Sequence, residues 1–135
     1  LAVGCAKRLI KMTVDYATER QQFGRRIAEF QLLQGMHADS QTECYAAESM
    51  VLDAARRRDA GEDVNKLASC CKLSASEMVG RVADRAVQIH GGAGYMEEYA
   101  VTRFYRDVRL FRIYEGTSEI QRSIIARRMM SNVKR

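Results

Sequence analysis

Three long stretches of this chain repeat an apolar residue every three or four positions, and no proline interrupts them. They run from Leu1 to Phe23, from about Ala28 to Arg58 and from about Val64 to Ile89. Apolar residues at that spacing fall on one face of an α-helix, and that face must be buried against a neighbouring element. The pattern therefore predicts three long helices, the first of which ends at Gly24.

A fourth helix is expected after Gly116, and a short extra helix or ordered arm is expected between Tyr95 and Tyr114. Short joints between long helices favour antiparallel neighbours, so the predicted fold is all-α, an up-and-down four-helix bundle. The residues expected to face inward are Val3, Ala6, Ile10, Val14 and Ala17; Leu33, Met36, Ser40, Cys44, Ala47, Val51 and Ala55; Leu67, Cys71, Ser74, Met78, Val82, Ala86 and Ile89; and Ile120, Ile124 and Ile125.

Length and charge limit the classes of protein to consider. With 135 residues the chain is one domain by length, and it begins in helical register without an initiator Met, so we expect it to be cut from something larger. Lys and Arg outnumber Asp and Glu by 22 to 17, but apart from Arg56 to Arg58 and the tail Lys134-Arg135 they are interleaved with acids. We therefore expect no nucleic-acid partner.

The cysteines indicate a reducing compartment, and the hydropathy pattern indicates a protein that does not insert into a membrane. The four cysteines include no C-x-x-C pair and there are only two histidines, so no metal site or disulfide framework is predicted and buried thiols are the preferred interpretation. No apolar run approaches the roughly 20 residues that cross a bilayer. The expectation is an intracellular, soluble protein of a bacterial cytoplasm or a mitochondrial matrix, without stable membrane insertion.

Four short stretches carry groups that could do chemistry. Tyr16 to Gly24 places an arginine and an aromatic ring at a helix end, where the arginine could bind a carbonyl of its own helix or grip a phosphate. Gln31 follows, with a solvated polar residue as its default interpretation. Gln88 to Gly94 is a helix terminus followed by glycines, which suits a C-cap or a pyrophosphate cradle, and His90 in it is interpreted as structural.

The fourth stretch, Tyr114 to Gln121, places Glu115 beside a glycine at the mouth of the last helix. Thr117 and Ser118 are good N-cap residues, and Ser118 with Gln121 fits the capping-box spacing. The local residues leave two interpretations open: an acid favoured by the helix dipole, or a base that meets a substrate.

Together and in this order, the four stretches resemble the C-terminal helical domain of the acyl-CoA dehydrogenases, which spans nearly all of residues 1–135. The resemblance is carried by Tyr-Ala-Thr-Glu-Arg-x-x-Phe-Gly, Gln-Ile-His-Gly-Gly, Arg-Asp and, most specifically, Ile-Tyr-Glu-Gly-Thr-Ser-Glu-Ile-Gln-Arg. Members of this family carry FAD and oxidise an acyl-CoA thioester to the trans-2-enoyl-CoA. A carboxylate removes the α-proton and a hydride passes to flavin N5.

The resemblance implies a role for each matching residue. Glu115 corresponds to the base, and Gly116 to the residue whose backbone lies against the substrate. The matching cofactor contacts are Arg20, Phe23, Gln31, Gln88, Ile89, His90, Gly91, Gly92, Thr117, Ser118 and Glu119. Several of these contacts cross to the FAD of a neighbouring subunit in the family, which implies a homotetramer built as a dimer of dimers, and an electron-transfer flavoprotein is the expected electron acceptor.

Parts of the family's pattern are missing, and rival functions stay open. The N-terminal helical domain, the middle β-domain and the arginine that precedes the first helix are absent from this sequence. A minority of members carry the base on that earlier helix, but this chain has the Glu of the common arrangement. The alternatives are an acyl-CoA oxidase, a relative resembling nitroalkane oxidases or flavin monooxygenases, and a non-catalytic helical oligomerisation module.

Overall fold

The computed structural model describes residues 1–131 and contains five α-helices and one small β-hairpin. The elements, in chain order, are α1 (Ala2–Glu19), β1 (Gln21–Gln22), β2 (Arg25–Arg26), α2 (Gln31–Asp59), α3 (Asn65–His90), α4 (Ala100–Arg109) and α5 (Ser118–Ser131). Short 3-10 turns lie at Ile27–Glu29, Gly91–Tyr95 and Leu110–Arg112. The all-α prediction is confirmed, and α4 is the predicted extra helix. The basic tail Lys134-Arg135 lies outside the described residues.

Helix α3 is the centre of the fold, because α1, α2, α4 and α5 all pack against it. It also supplies more buried side chains than any other helix described. The largest fully buried ones are Leu9, Cys44, Met78, Val79, Val82, Val101 and Val108. This cluster joins α1, α2, α3 and α4 in one continuous core, as expected for a domain of this length.

Polar contacts between helices establish that successive long helices run antiparallel. Lys7 near the start of α1 pairs with Glu48 late in α2. Arg81 in α3 pairs with Glu43 in α2 at 2.8 Å, while Cys71, closer to the start of α3, contacts the later α2 residue Met50. The up-and-down arrangement is confirmed by these pairs.

Helix α5 also lies antiparallel to α3. The Ser118 hydroxyl at its start donates to the Glu77 carboxylate, and Arg128 near its end approaches Asp63 just before α3. Its apolar side chains are only partly covered: Ile120, Met129 and Met130 are 52%, 59% and 72% exposed. The prediction that Ile120 faces inward is therefore wrong within this chain, because the buried residues of α5 are Ser118 and Gln121.

The end of the first helix differs from the prediction. Helix α1 stops at Glu19, and the next residues form a two-residue hairpin turn at Phe23 and Gly24, whose φ values are 55° and 76°. Two successive residues with positive φ are typical of the turn that matches the twist of a hairpin. A small cluster of Ala17, Ile27 and Ile89 packs this hairpin onto the bundle.

Candidate functional site

A cleft of about 650 Å³ lies where the end of α1, the hairpin, the start of α2 and the end of α3 meet. We call it the hairpin cleft. It is lined by Tyr16, Arg20, Gln22, Phe23, Ile27, Phe30, Leu32, Leu33, Ile89, His90, Gly91, Gly92, Ala93 and Tyr99. Of the predicted cofactor residues, six therefore share one surface: Arg20, Phe23, Ile89, His90, Gly91 and Gly92.

Five predicted cofactor residues do not line the hairpin cleft: Thr117, Ser118 and Glu119 lie at the start of α5, and Gln31 and Gln88 lie beside it in sequence. Gln31 is the first residue of α2 and lies between the lining residues Phe30 and Leu32, with its own side chain exposed. Gln88 is exposed on α3, one residue before the lining residue Ile89. Gln31 and Gln88 are thus each next in sequence to a lining residue, without lining the cleft themselves.

The rim of the hairpin cleft combines an available cation, an exposed ring and open backbone. Arg20 is exposed and forms no ion pair among residues 1–131. Phe23 is 92% exposed at the hairpin turn and contacts Phe30 edge-on, with ring centroids 6.1 Å apart. A Cβ on Gly91 or Gly92 would meet no atom within 4 Å, so a ligand can reach the backbone there.

The floor of the hairpin cleft contains His90, which is only 6% exposed. Its Nδ1 lies 2.8 Å from the Ala86 carbonyl oxygen, an acceptor, so this nitrogen carries the proton. Burial lowers the pKa of His90, and the hydrogen bond to Ala86 opposes that shift without cancelling it. The geometry agrees with the interpretation of His90 as a structural histidine, which here also lines the cleft.

Glu115 lies in a second, smaller cleft of about 280 Å³. This cleft is formed by the start of α1, by α2, by the first half of α3 and by the segment before α5. We call it the Glu115 cleft. Its lining is largely apolar and comprises Leu1, Ala2, Val3, Val51, Cys71, Lys72, Ala75, Ser76, Phe111, Tyr114 and Glu115. Glu115 has φ of 53°, its side chain is exposed, and Gly116 follows with φ of 87°. The carboxylate thus stands on a tight left-handed turn at the edge of an apolar surface.

The first turn of α5 is capped by Thr117. Its hydroxyl oxygen accepts the backbone N–H of Ile120 at 3.3 Å, as an N-cap residue does. The pKa of Glu119 is lowered because its carboxylate accepts its own backbone N–H and the Thr117 hydroxyl. The predicted capping box is wrong: Ser118 donates to Glu77 at 2.7 Å, and Gln121 donates to carbonyl oxygens of the preceding turn.

Three residues that support the Glu115 turn escaped the sequence analysis. Lys72 and Glu77 are on α3, in a stretch for which the sequence predicts only packing of the bundle. Lys72 contacts Gly116 and Glu77 contacts Ser118, each more than 40 positions away in sequence. No local pattern signals such contacts. Gln121 was noticed for its spacing from Ser118, but its partners are the carbonyl oxygens of Glu115 and Gly116.

The two clefts lie near opposite ends of α3. Lys72 lines the Glu115 cleft and Ile89 lines the hairpin cleft. A rise of about 1.5 Å per residue separates those two residues by roughly 25 Å along the helix. Within one chain, the predicted cofactor residues therefore fall into two groups and do not surround Glu115 together.

Residues 1–131 offer neither a metal-binding cluster nor a membrane-spanning helix. No three His, Cys, Asp or Glu side chains among residues 1–131 are grouped so that they could hold a metal ion. None of the described helices combines the length and the apolar character that a bilayer crossing requires. The four cysteines are free thiols, with Cys44 buried and the other three half-buried.

The fold and the two clefts together define a helical domain that offers one cleft suited to an extended ligand and one carboxylate-bearing turn. The sequence model of the family described as acyl-CoA dehydrogenase, C-terminal domain, matches residues 1–130. The chain belongs to the acyl-CoA dehydrogenase family.

Individual relatives agree with this assignment. The chain is 48% identical over 130 residues to the probable acyl-CoA dehydrogenase YngJ of Bacillus subtilis, covering 96% of this chain and 34% of the relative. It is 46% identical over 125 residues to CarC, a subunit of the caffeyl-CoA reductase-Etf complex of Acetobacterium woodii, covering 93% and 33%. An FAD complex of PigA superposes with a TM-score of 0.91 at 32% identity, covering 96% of this chain and 34% of that one. The chain thus spans about a third of the length of these relatives.

Proposed function

We propose that residues 1–135 form the C-terminal domain of an FAD-dependent enzyme that dehydrogenates an acyl-CoA thioester to the trans-2-enoyl-CoA. The membership of the chain in the acyl-CoA dehydrogenase family supports this reaction class. Glu115 is the base in this proposal, and Gly116 is the residue whose backbone faces the substrate.

The observation that carries the proposal is the setting of Glu115. The carboxylate is exposed at the edge of an apolar cleft that also contains Phe111 and Tyr114, and no cation lies within ion-pair distance of it among residues 1–131. A base needs an available lone pair, and a paired carboxylate would have to break its ion pair first. An acyl chain is apolar, so the walls of the Glu115 cleft match it in polarity.

In the proposed reaction, the chemistry of Glu115 is at the α-carbon of the substrate and that of FAD is at the β-carbon. Glu115 accepts the proton that leaves the α-carbon, while the electrons of the broken α-C–H bond form the double bond to the β-carbon. When bound, FAD supplies the acceptor for the hydride that leaves the β-carbon. Gly116 places its backbone against the thioester in this proposal, and the apolar walls would exclude water from the base once the acyl chain fills the cleft.

FAD fits the hairpin cleft by the chemistry of its lining. Arg20 offers an unpaired guanidinium, which binds pyrophosphate oxygens in bidentate fashion. Gly91 and Gly92 leave room for a phosphate or ribose against the backbone. Phe23 presents an exposed ring to an aromatic base. Gln31 and Gln88, each next in sequence to a lining residue, and Thr117 to Glu119 at the start of α5 remain proposed contacts of the same cofactor.

The separation of roughly 25 Å between the two clefts supports a site shared between subunits. One copy would supply Glu115 and the start of α5, and a second copy would supply the hairpin cleft. Two large side chains on one face of α2 are uncovered, with Tyr45 and Leu52 at 68% and 48% exposed. We propose a homo-oligomer, a dimer of dimers, as the assembled state.

A second candidate is the reverse reaction, reduction of an enoyl-CoA. Its support is the 46% identity to CarC, whose name describes a reductase complexed with Etf. In that direction the protonated Glu115 would deliver a proton to the α-carbon. An electron-transfer flavoprotein is the proposed redox partner in both directions, as acceptor or as donor.

The central test is Glu115→Gln in the full-length enzyme. We expect the variant to keep its FAD absorbance and to lose about 10²-fold or more in the rate of flavin reduction by acyl-CoA, the contribution typical of a general base. Glu98→Gln is the control, because Glu98 is exposed and forms no hydrogen bond or ion pair within residues 1–131. Near-normal flavin reduction by the Glu115 variant would disprove the role of the base.

A second measurement separates the rival functions. Anaerobic mixing with acyl-CoA should bleach the flavin band of a dehydrogenase, and the reduced enzyme should then react slowly with oxygen and fast with electron-transfer flavoprotein. Fast reoxidation by oxygen would identify an oxidase instead. Bleaching by reduced electron-transfer flavoprotein, followed by recovery with enoyl-CoA, would favour the reductase.

A further inference from the structure

The turn that carries Glu115 is strained and needs external support. Glu115 has φ of 53°, a region that residues with a Cβ rarely adopt, and Phe23 at the hairpin turn is the other such residue among 1–131. A backbone of this kind persists only when surrounding contacts over-determine it. The groups that hold the turn therefore also determine where the carboxylate of Glu115 points.

Gln121 holds the turn from within α5. Its Nε2 lies 3.3 Å from the carbonyl oxygen of Glu115 and 3.4 Å from that of Gly116, and its side chain is buried, with 8% exposed. A Cβ on Gly116 would be only 2.7 Å from the same Nε2. The amide group is thus seated directly on the turn, where it bridges two consecutive carbonyl groups.

Lys72 holds the turn from a different helix. Its Nζ lies 2.5 Å from the Gly116 carbonyl oxygen, and its side chain is half-buried and lines the same cleft as Glu115. Lys72 forms no ion pair among residues 1–131. Partial burial of an ammonium group against a carbonyl, with no carboxylate to neutralise it, lowers the stability of the fold. Stability alone therefore does not account for a lysine at this position.

Two independent elements therefore bind the same peptide unit. Gln121 connects the turn to the first part of α5, and Lys72 connects it to α3, the most buried helix of the bundle. Rotation of the Gly116 peptide would break both contacts at once. Glu115 is fixed relative to the apolar walls of its cleft as long as both contacts are intact.

We propose that Lys72 and Gln121 are positioning residues, which hold the Glu115-Gly116 turn so that the carboxylate faces the α-carbon of the substrate. The inference rests on the proposed role of Glu115 as the base. Neither residue needs to touch the substrate in this scheme. Displacing a catalytic group by about 1 Å can lower a rate roughly 10²-fold, so loss of either contact should lower turnover more than substrate affinity.

The first test is Lys72→Met in the full-length enzyme. Methionine keeps the length and apolar character of the side chain and removes the donor. We expect kcat to fall about 10- to 100-fold while KM changes less than threefold and the FAD content stays at the wild-type level. Lys72→Arg, which keeps donors at the end of a long side chain, should recover part of the loss. Lys66→Met, at an exposed position of the same helix, is the matched control.

The second test uses the pH profile of Gln121→Glu. This change conserves shape, but an ionised carboxylate has no donor and would face two carbonyl oxygens. A protonated carboxyl has one donor. We therefore expect kcat of this variant, relative to wild type, to increase as the pH is lowered. Gln121→Met, which has no donor at any pH, should show a constant ratio to wild type.

The outcomes separate the two proposals. If Lys72→Met and Gln121→Met lower the unfolding midpoint but leave kcat per FAD-loaded site unchanged, the contacts are merely structural and the positioning inference is wrong. An equal, pH-independent loss in Gln121→Glu and Gln121→Met would contradict it as well. If Glu115→Gln itself is active, the proposed base fails regardless of what the Lys72 and Gln121 variants do.

Discussion

The ring of Tyr16 stacks on the ring of His90, with centroids 4.2 Å apart and planes inclined by 20°. The Tyr16 hydroxyl also donates to the backbone carbonyl oxygen of His90 at 3.3 Å. These contacts fasten the last turns of α1 to the end of α3, at the wall of the hairpin cleft. The neutral form of His90 is part of this arrangement, because burial lowers its pKa.

The first prediction concerns the pH dependence of stability. A histidine whose pKa is lower in the folded state binds its proton first in the unfolded state, so stability is lost as the pH falls below the unfolded value of about 6.5. We expect the unfolding midpoint of the wild-type protein to drop more steeply between about pH 7.5 and pH 5.5 than that of His90→Gln.

His37→Gln is the matched control for that comparison. His37 is the other histidine of the chain, and its Nδ1 also lies near the carbonyl oxygen four residues earlier, Leu33, at 2.9 Å. A change of slope in His37→Gln as large as that in His90→Gln would show that the effect is not specific to His90. Parallel slopes for wild type and His90→Gln would show that His90 does not contribute.

The second prediction concerns the affinity for FAD. Hydrogen bonds to charged groups contribute about 1.5–3 kcal/mol each, so Arg20→Ala should weaken FAD binding roughly 10- to 100-fold. Arg20→Lys should recover only part of this affinity, because an ammonium group cannot bind a phosphate in bidentate fashion. Titration of the apoenzyme with FAD measures both, and Arg8→Ala, an exposed change on α1, serves as the control. Wild-type affinity in Arg20→Ala would exclude Arg20 from the cofactor site.

The third prediction concerns the docking of α5. Ser118 is 3% exposed, and its hydroxyl donates to Glu77, whose carboxylate also lies 3.5 Å from Arg112. Ser118→Ala should cost about 1.5–3 kcal/mol, the range for a hydrogen bond to a charged group, and lower the unfolding midpoint by several degrees. Ser123→Ala on the exposed side of α5 should change the midpoint by less than about one degree. Equal midpoints for the two variants would contradict this role of Ser118.

The fourth prediction separates backbone strain from steric contact. Gly116 and Gly61 have φ of 87° and 83°, so an alanine at either position pays a similar conformational cost of about 1–2 kcal/mol. A Cβ at position 61 meets nothing within 4 Å, whereas one at position 116 displaces the amide of Gln121. Gly116→Ala should therefore lose more stability than Gly61→Ala and should also lose kcat. Equal losses of stability in the two variants would mean that the steric contact with Gln121 does not affect stability.

The bundle was predictable because helical periodicity is a local property that burial then enforces. The predicted inward residues Ala6, Ala17, Cys44, Met78, Val82 and Ala86 are all buried. Val14 and Val51 fit the same spacing but are 43% and 40% exposed. The buried residues of these helices are Ala6, Leu9, Thr13 and Ala17 in α1 and Ser40, Cys44 and Ala47 in α2, so the position of a residue on the helix decided burial more than its apolar character did.

The polar contacts of the site were not predictable in the same way. The sequence predicts a helix end at Phe23-Gly24, where the structure has a hairpin turn. A phenylalanine does not indicate the positive φ that this turn requires. The partner of Lys72 lies 44 positions away in sequence. Contacts at that separation depend on how the helices dock, so the motif identified Glu115 but not the residues that hold it.

The distance between the two clefts along α3 has a consequence for mixed oligomers. If one active site takes Glu115 from one subunit and Arg20 from its neighbour, a hybrid of Glu115→Gln and Arg20→Ala chains contains one doubly defective site and one fully native site. If the two preparations are unfolded and reassembled together at an FAD concentration too low to load Arg20→Ala sites, they would regain activity that neither shows alone. Sites contained in single chains would each carry one lesion, and no such complementation would occur.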